Sequence, residues 1–268
     1  MANENFTEIA KRYRETSVVQ SSAADILFSL LNIRDGESVF DIGCGTGNLT
    51  HKIRALTAAP VTGIDPSEGM IRERVEKYGA DGIRFIRMDA QDMDFDNEFD
   101  VVFCNSAFQW FRDPSKAAEN MRRALKPGGR TGIQAPAMHA YCPQFIDAVR
   151  RVKNNPATGG VFARWTNPWY YRDTAKEYAD IFTEKGFRVE FAEIQSIESF
   201  HTPDKAYDIF ASGAIAGYLN RDYYDGGYDD AYADEFRRIV RQSFVEQAGA
   251  DGNTRLVFNR IFLIGVKE

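Results

Sequence analysis

The feature that most constrains this chain is Val39-Phe40-Asp41-Ile42-Gly43-Cys44-Gly45-Thr46-Gly47-Asn48-Leu49, an apolar run that breaks into three alternate glycines and resumes as a helix. A short apolar run closed by such a loop reads as a buried strand feeding a helix. Alternate glycines let the backbone turn tightly and come close to a bound nucleotide-like molecule. The dinucleotide fingerprint needs its third glycine three places after the second, where this chain carries Asn48, so the loop is G-x-G-x-G and NAD is disfavoured.

The following residues repeat a strand-helix alternation with polar groups at the strand ends. Pro60-Val61-Thr62-Gly63-Ile64-Asp65 reads as a second strand ending in an acid, which can accept both hydroxyls of a ribose and would repel a 2′-phosphate. Ile83 to Met88 reads as a third strand, followed by Asp89-Ala90-Gln91. Phe99 to Cys104 reads as a fourth, followed by Asn105-Ser106-Ala107-Phe108-Gln109-Trp110-Phe111. Ligands of open α/β sheets bind beyond such carboxyl ends. Taken singly, the glycine loop has a second reading as a mere turn, and Asp65 or Asp89 as a helix N-cap.

Composition narrows the partners. The 268 residues carry a net charge of -6 with 44% hydrophobic and 27% charged residues, enough for one large core and without the basic excess of a phosphate-binding surface. Nucleic acid is therefore not expected as a partner. No run approaches the roughly 18 apolar residues of a membrane helix, and the first residues lack a basic start and an apolar run, so a cytoplasmic protein is expected. Cys44, Cys104 and Cys142 have no C-x-x-C spacing, and His51, His139 and His201 are scattered, so neither a disulfide framework nor a metal site is expected.

With the D-x-G-x-G-x-G loop, Asp65-Pro66-Ser67 with Met70 behind it, Asp89-Ala90, and Leu125-Lys126-Pro127-Gly128-Gly129 before a fifth strand, residues 36 to 136 resemble the class I S-adenosylmethionine-dependent methyltransferases. The resemblance implies a Rossmann-like seven-stranded α/β sheet with helices on both faces and S-adenosyl-L-methionine as the cofactor. It implies that Asp41, Gly43, Gly45 and Gly47 line the methionine moiety, with Cys44 between them, and that Asp65, with Pro66 and Met70, holds the ribose. Asp89, Ala90 and Gln91 would read the adenine edge, and Asn105 and Ser106 would sit beside the sulfonium. Tyr13 and Gln20 resemble the leading-helix pattern of methyltransferases acting on carboxylates. Asn105 to Pro114, with its Gln109-Trp110 pair, is similar to the segment after strand four in the trans-aconitate and malonyl-carrier-protein methyltransferases, which make methyl esters.

The expected organisation places cofactor-covering helices at 1–35, the core at 36–137, 172–199 and 254–268, and helical lid insertions at 138–171 and 200–253. The insertions are rich in aromatic residues, and Trp110, Arg164, Trp165 and Tyr171 are the candidates for acceptor contact. The leading function is carboxyl O-methylation of a small or carrier-bound acceptor, because a carboxylate is already ionised at neutral pH and needs no base. The alternatives are an N- or O-methyltransferase using His139 as general base, with Asp113 a second candidate, and a non-catalytic cofactor-binding or regulatory protein. The sequence leaves the oligomeric state open.

Overall fold

The structure is a computed structural model that describes residues 23–69, 71–72, 78 and 81–268. The expectations for Tyr13, Gln20 and Met70 lie outside the described residues. Strands β1 Val39–Ile42, β2 Val61–Asp65, β3 Ile83–Arg87, β4 Phe99–Asn105, β5 Leu125–Pro136, β6 Phe187–His201 and β7 Thr254–Lys267 form one seven-stranded sheet in the order β3-β2-β1-β4-β5-β7-β6. Among the described residues the helices are α1 Ala23–Leu31, α2 Asn48–Arg54, α3 Pro114–Ala124, α4 Pro143–Asn154, α5 Gly159–Phe162, α6 Ala175–Thr183, α7 Pro203–Ser212, α8 Ile215–Tyr218 and α9 Asp230–Glu246. Phe108–Trp110 and Arg221–Tyr223 are 3-10 turns.

β1 pairs in parallel with both β2 and β4, β2 with β3, and β4 with β5. Strand order reverses between β1 and β4, so a crevice opens beyond their carboxyl ends. Arg188 meets Glu268, Ser196 meets Asn259 and Glu198 meets Arg255, so β6 and β7 run antiparallel. β1 is buried along its whole length, and the Phe40 ring packs 4.9 Å from Phe95 and 4.6 Å from Phe99. α3 starts where Asp113 caps the Lys116 amide and Pro114 presets the first turn. It buries Ala117, Ala118, Met121 and Ala124.

The chain divides into two compact units. The first holds Met1–Ala137, Tyr170–Ile194 and Ile261–Glu268, and the second Met138–Trp169 and Gln195–Arg260. Within the second, Phe145 packs 5.1 Å from Phe210 and 5.7 Å from Phe244, and Phe210 stacks 5.9 Å from Tyr218. Trp165 donates its indole N–H to the Gly217 carbonyl at 2.9 Å, and the Tyr224 hydroxyl bonds the Tyr218 carbonyl at 2.6 Å. No helix of the described residues is long and apolar enough to cross a membrane.

Arg130 of β5 anchors the end of α1. Its guanidinium donates to the Leu31 and Asn32 carbonyls and, bidentately, to Glu37 at 2.8 and 2.7 Å. Burial is the largest influence on Glu37 and raises its pKa, but the Arg130 and Arg34-amide hydrogen bonds and the two arginine charges together outweigh it and hold it below the usual carboxylate value. A depressed folded pKa contributes stability above the unfolded value that is lost as pH falls through the folded one. Glu37→Gln is expected to lower stability by about 1–2 kcal/mol at neutral pH, with the gap to wild type closing below about pH 4. Urea melts of both proteins at the two pH values check this.

Candidate cofactor and acceptor site

The glycine loop is built by close approach of three strands. The Gly43 and Cys44 amides both donate to the Ile64 carbonyl of β2 at 2.9 Å, which ties the exit of β1 to its neighbour. Gly43 has φ +73°, and a Cβ there would lie 2.3 Å from the Ala107 Cβ, beyond the end of β4. The loop's other two glycines, Gly45 and Gly47, also adopt positive φ. Asp41 is 2% exposed and accepts the Thr50 hydroxyl of α2 at 2.6 Å, locking strand to helix beneath the loop.

Asp65 stands half-exposed at the end of β2. One oxygen accepts the Gly45 amide at 3.1 Å and the other the Ser67 amide at 3.0 Å. The local-turn and ligand readings of Asp65 are therefore compatible, because each carboxylate oxygen has a second lone pair. Beyond β3, one Asp89 oxygen accepts both the backbone and side-chain N–H of Gln91 at 3.1 Å. The buried Asn120 of α3 donates to the Ala90 and Gln91 carbonyls at 3.2 and 2.8 Å, so this turn is held from below. Pro66 follows Asp65, and its carbonyl receives the Arg87 side chain.

After β4 the chain turns at Ser106, a non-glycine residue with φ +56°. Its amide donates to the Gln134 carbonyl of β5 at 2.7 Å and its hydroxyl to the Gln134 side chain at 3.1 Å, which offsets the cost of that conformation. The Gln109 amide nitrogen donates to the Ser106 carbonyl at 2.9 Å. That bond fixes the amide orientation and leaves Gln109 Oε1 buried without a partner among the described residues. A buried unsatisfied acceptor costs about 1–3 kcal/mol, a strain typical of functional segments. The Tyr170 amide donates to the Gln109 carbonyl at 2.7 Å, bringing a distant part of the sequence to this turn.

The first unit thus brings Asp41, Gly43, Cys44, Gly45, Gly47, Asp65, Pro66, Asp89, Ala90, Gln91, Asn105, Ser106 and half-buried Trp110 to the carboxyl ends of β1 to β4. His139 and Arg164 belong to the second unit and are exposed. Arg164 donates to the Asp225 carbonyl at 2.7 Å. Trp165 is part of the second unit's aromatic core, whereas Tyr171 is buried in the first. Sequence reasoning did not single out Gln134, Asn120 or Tyr170, and a polar residue in an apolar strand, as at Gln134, was the available signal. Burial pushes the Cys104 thiol well up, with Asp41 adding to it, and raises Cys142 to about 11. Neither is poised as a nucleophile.

A family model described as a methyltransferase domain matches residues 40–133. This part of the chain is a class I S-adenosylmethionine-dependent methyltransferase domain. The malonyl-[acyl-carrier protein] O-methyltransferase of Acetivibrio thermocellus is 30% identical over 129 residues, 47% of this chain and 45% of that protein. The trans-aconitate 2-methyltransferase of Deinococcus radiodurans is 31% identical over 132 residues, 48% of this chain and 50% of that one. The alignments span about half the length of these relatives. In fold, the YcgJ protein from Bacillus subtilis superposes with a TM-score of 0.60 at 17% identity, covering 92% of this chain and 98% of that one.

The residues present fit the cofactor. The loop can be approached closely because side chains are absent at its three left-handed positions, and the half-exposed Asp65 carboxylate stands beside it. Gly43→Ala is expected to cost roughly 2–4 kcal/mol, combining about 1–2 for a left-handed L-residue with the Ala107 overlap. Adding Ala107→Gly should return only the steric part. Thermal melts of the single and double variants would decide this, and equal melting would exclude close approach as the cause.

Proposed function

We propose that this protein is a methyltransferase acting on the carboxylate of a small or carrier-bound acid. The observation that carries the reading is the state of the ionisable groups on the segment after β4 and on the chain bonded to it. Asp113 is committed to capping α3, burial holds the Tyr170 phenol above its ordinary value, and burial pushes Tyr178 up to about 12. Neither phenol is set to remove a proton at neutral pH. His139 is exposed in the other unit. Such surroundings suit an acceptor that arrives already ionised, and the two ester-forming relatives named above support the same chemistry.

When bound, S-adenosylmethionine supplies an electrophilic methyl group on a sulfonium. With an acceptor that arrives already ionised, no residue of this chain would have to remove a proton. The protein's part is to bind, align and keep water out. Asp65 would accept ribose hydroxyls, the loop would pass beneath the methionine end, and the turn after Asp89 would face the adenine. Ser106 and Gln109 hold the β4 turn rigid, and Trp110 would shield the transfer. The insertions 138–171 and 200–253 would govern acceptor entry as a lid, a role that predicts slower hydrogen exchange there when cofactor is added.

Asp65→Ala is expected to weaken cofactor binding by roughly ten- to a hundredfold, as loss of charge-assisted hydrogen bonds implies. Calorimetry on the folded variant checks this, and unchanged affinity rejects the assignment. The chemistry is tested with methyl-labelled donor and two acceptors, trans-aconitate and a malonyl thioester. Label released as methanol in mild alkali is the expected product. Alkali-stable label on an amine, lost in His139→Ala, would replace the ester reading with the general-base one.

A further inference from the structure

We propose that Arg172 is the acceptor-specificity residue of this site, an arginine that holds a second, non-reacting carboxylate of the acceptor. The proposal rests on the carboxyl-methylation reading above and adds the residue that selects among acids. Arg172 precedes α6 in the first unit and is exposed. Its backbone is fixed on both sides. Two residues earlier the Tyr170 amide bonds the Gln109 carbonyl at 2.7 Å, next to Trp110, and the Arg172 amide itself donates to the buried Tyr178 hydroxyl at 3.1 Å. The guanidinium carbon lies 4.5 Å from the Tyr170 ring centroid. One terminal nitrogen makes a long 3.5 Å contact to the Tyr171 carbonyl.

No carboxylate pairs with this guanidinium among the described residues. Arginines in the aromatic-rich segments of the second unit are engaged. Arg164 is bonded to the Asp225 carbonyl, Arg221 pairs with Asp230 at 2.6 Å, Arg237 with Asp234 at 3.1 Å, and Arg241 lies over Tyr207 with its guanidinium 3.9 Å from Asp204. Stacking on an aromatic face orients a guanidinium without consuming its in-plane N–H donors, which match a carboxylate bidentately. Ordering the side chain in advance reduces the entropy lost when an acid binds.

The carboxylate held there is the one that does not react. Two charge-assisted hydrogen bonds would draw electron density from the oxygen that must attack the methyl group. An arginine that binds an acid without slowing transfer therefore holds a neighbouring carboxylate. This selects acceptors with two or more acid groups over simple monoacids.

The test compares wild type, Arg172→Gln, Arg172→Lys and, as a charge-matched control, Arg112→Gln. Arg112 is also exposed and follows Trp110 by two residues, but it makes no described aromatic contact. Trans-aconitate is titrated into each protein saturated with the product cofactor, S-adenosylhomocysteine, so the readout does not depend on turnover. Arg172→Gln is expected to weaken trans-aconitate binding ten- to a hundredfold. Arg172→Lys should fall between, and Arg112→Gln should match wild type. Cofactor affinity should be unchanged in all four. Where methyl ester forms, the Arg172→Gln defect should appear in KM with kcat within a few fold. Equal trans-aconitate affinity in wild type and Arg172→Gln, no binding to wild type, or equal losses in Arg172→Gln and Arg112→Gln would overturn the proposal. Acid binding that depends on Arg172 without alkali-labile product would keep Arg172 as the acid-binding residue, reject the ester chemistry and overturn the assignment of the held carboxylate as the non-reacting one.

Discussion

The site depends on how closely the chain passes itself where β1 ends. Gly43 is set against Ala107, and the amides of Gly43 and Cys44 share the Ile64 carbonyl, so the exits of β1, β2 and β4 are held against one another through backbone atoms. The Gly45 amide then reaches Asp65, which couples the loop to the carboxylate beside it. Because these contacts are main-chain or to a single short acid, the geometry does not rely on flexible side chains. That is the pre-organisation a transfer reaction without a protein nucleophile requires.

Much of this was legible in the sequence, for a physical reason. A glycine needed at positive φ, an acid at a strand end and a polar turn after a buried strand are local requirements, and local requirements leave residue-type signatures. The segment Leu125-Lys126-Pro127-Gly128-Gly129, placed by the sequence before the fifth strand, lies inside it in the structure. β5 spans Leu125–Pro136, but its register against β4 jumps from Phe99 opposite Leu125 to Val101 opposite Arg130, and Gly128 has φ +77°. Lys126 to Gly129 form an excursion inside the strand, a bulge in effect. β6 runs from Phe187 to His201, just past the core segment expected to end at 199, and β7 starts at Thr254, as the expected core segment does.

What was not legible is side-chain engagement. Arg164 stood out because it is surrounded by aromatic residues in sequence, yet its guanidinium is bonded to a backbone carbonyl about sixty residues on, at Asp225. Arg172, a few residues later, attracts no attention as a letter. Its stacking on Tyr170 and the tether of that residue to Gln109 exist only once the fold joins two segments that are far apart in the chain. Gln109 is the same kind of case. The Gln-Trp pair signals the segment, but only the structure shows that one amide end is fixed by Ser106 and that the other is left unsatisfied.

The electrostatic character of the first unit follows from the same economy of groups. The buried Asp41 is matched to Thr50, Asp65 and Asp89 accept backbone amides, and Asp113 caps a helix, so the acids near the carboxyl ends of the strands are each bound to a local donor. Thiols and phenols nearby are held protonated by burial. A reaction that creates or consumes a proton would need an additional group to manage it, whereas transfer to a carboxylate neutralises two opposite charges at once and leaves the protonation of the protein unchanged. Under the proposed carboxyl methylation, the ionisable groups around this strand end suit an ionised acceptor, and an arginine oriented by an aromatic ring is the complementary element such an acceptor would need.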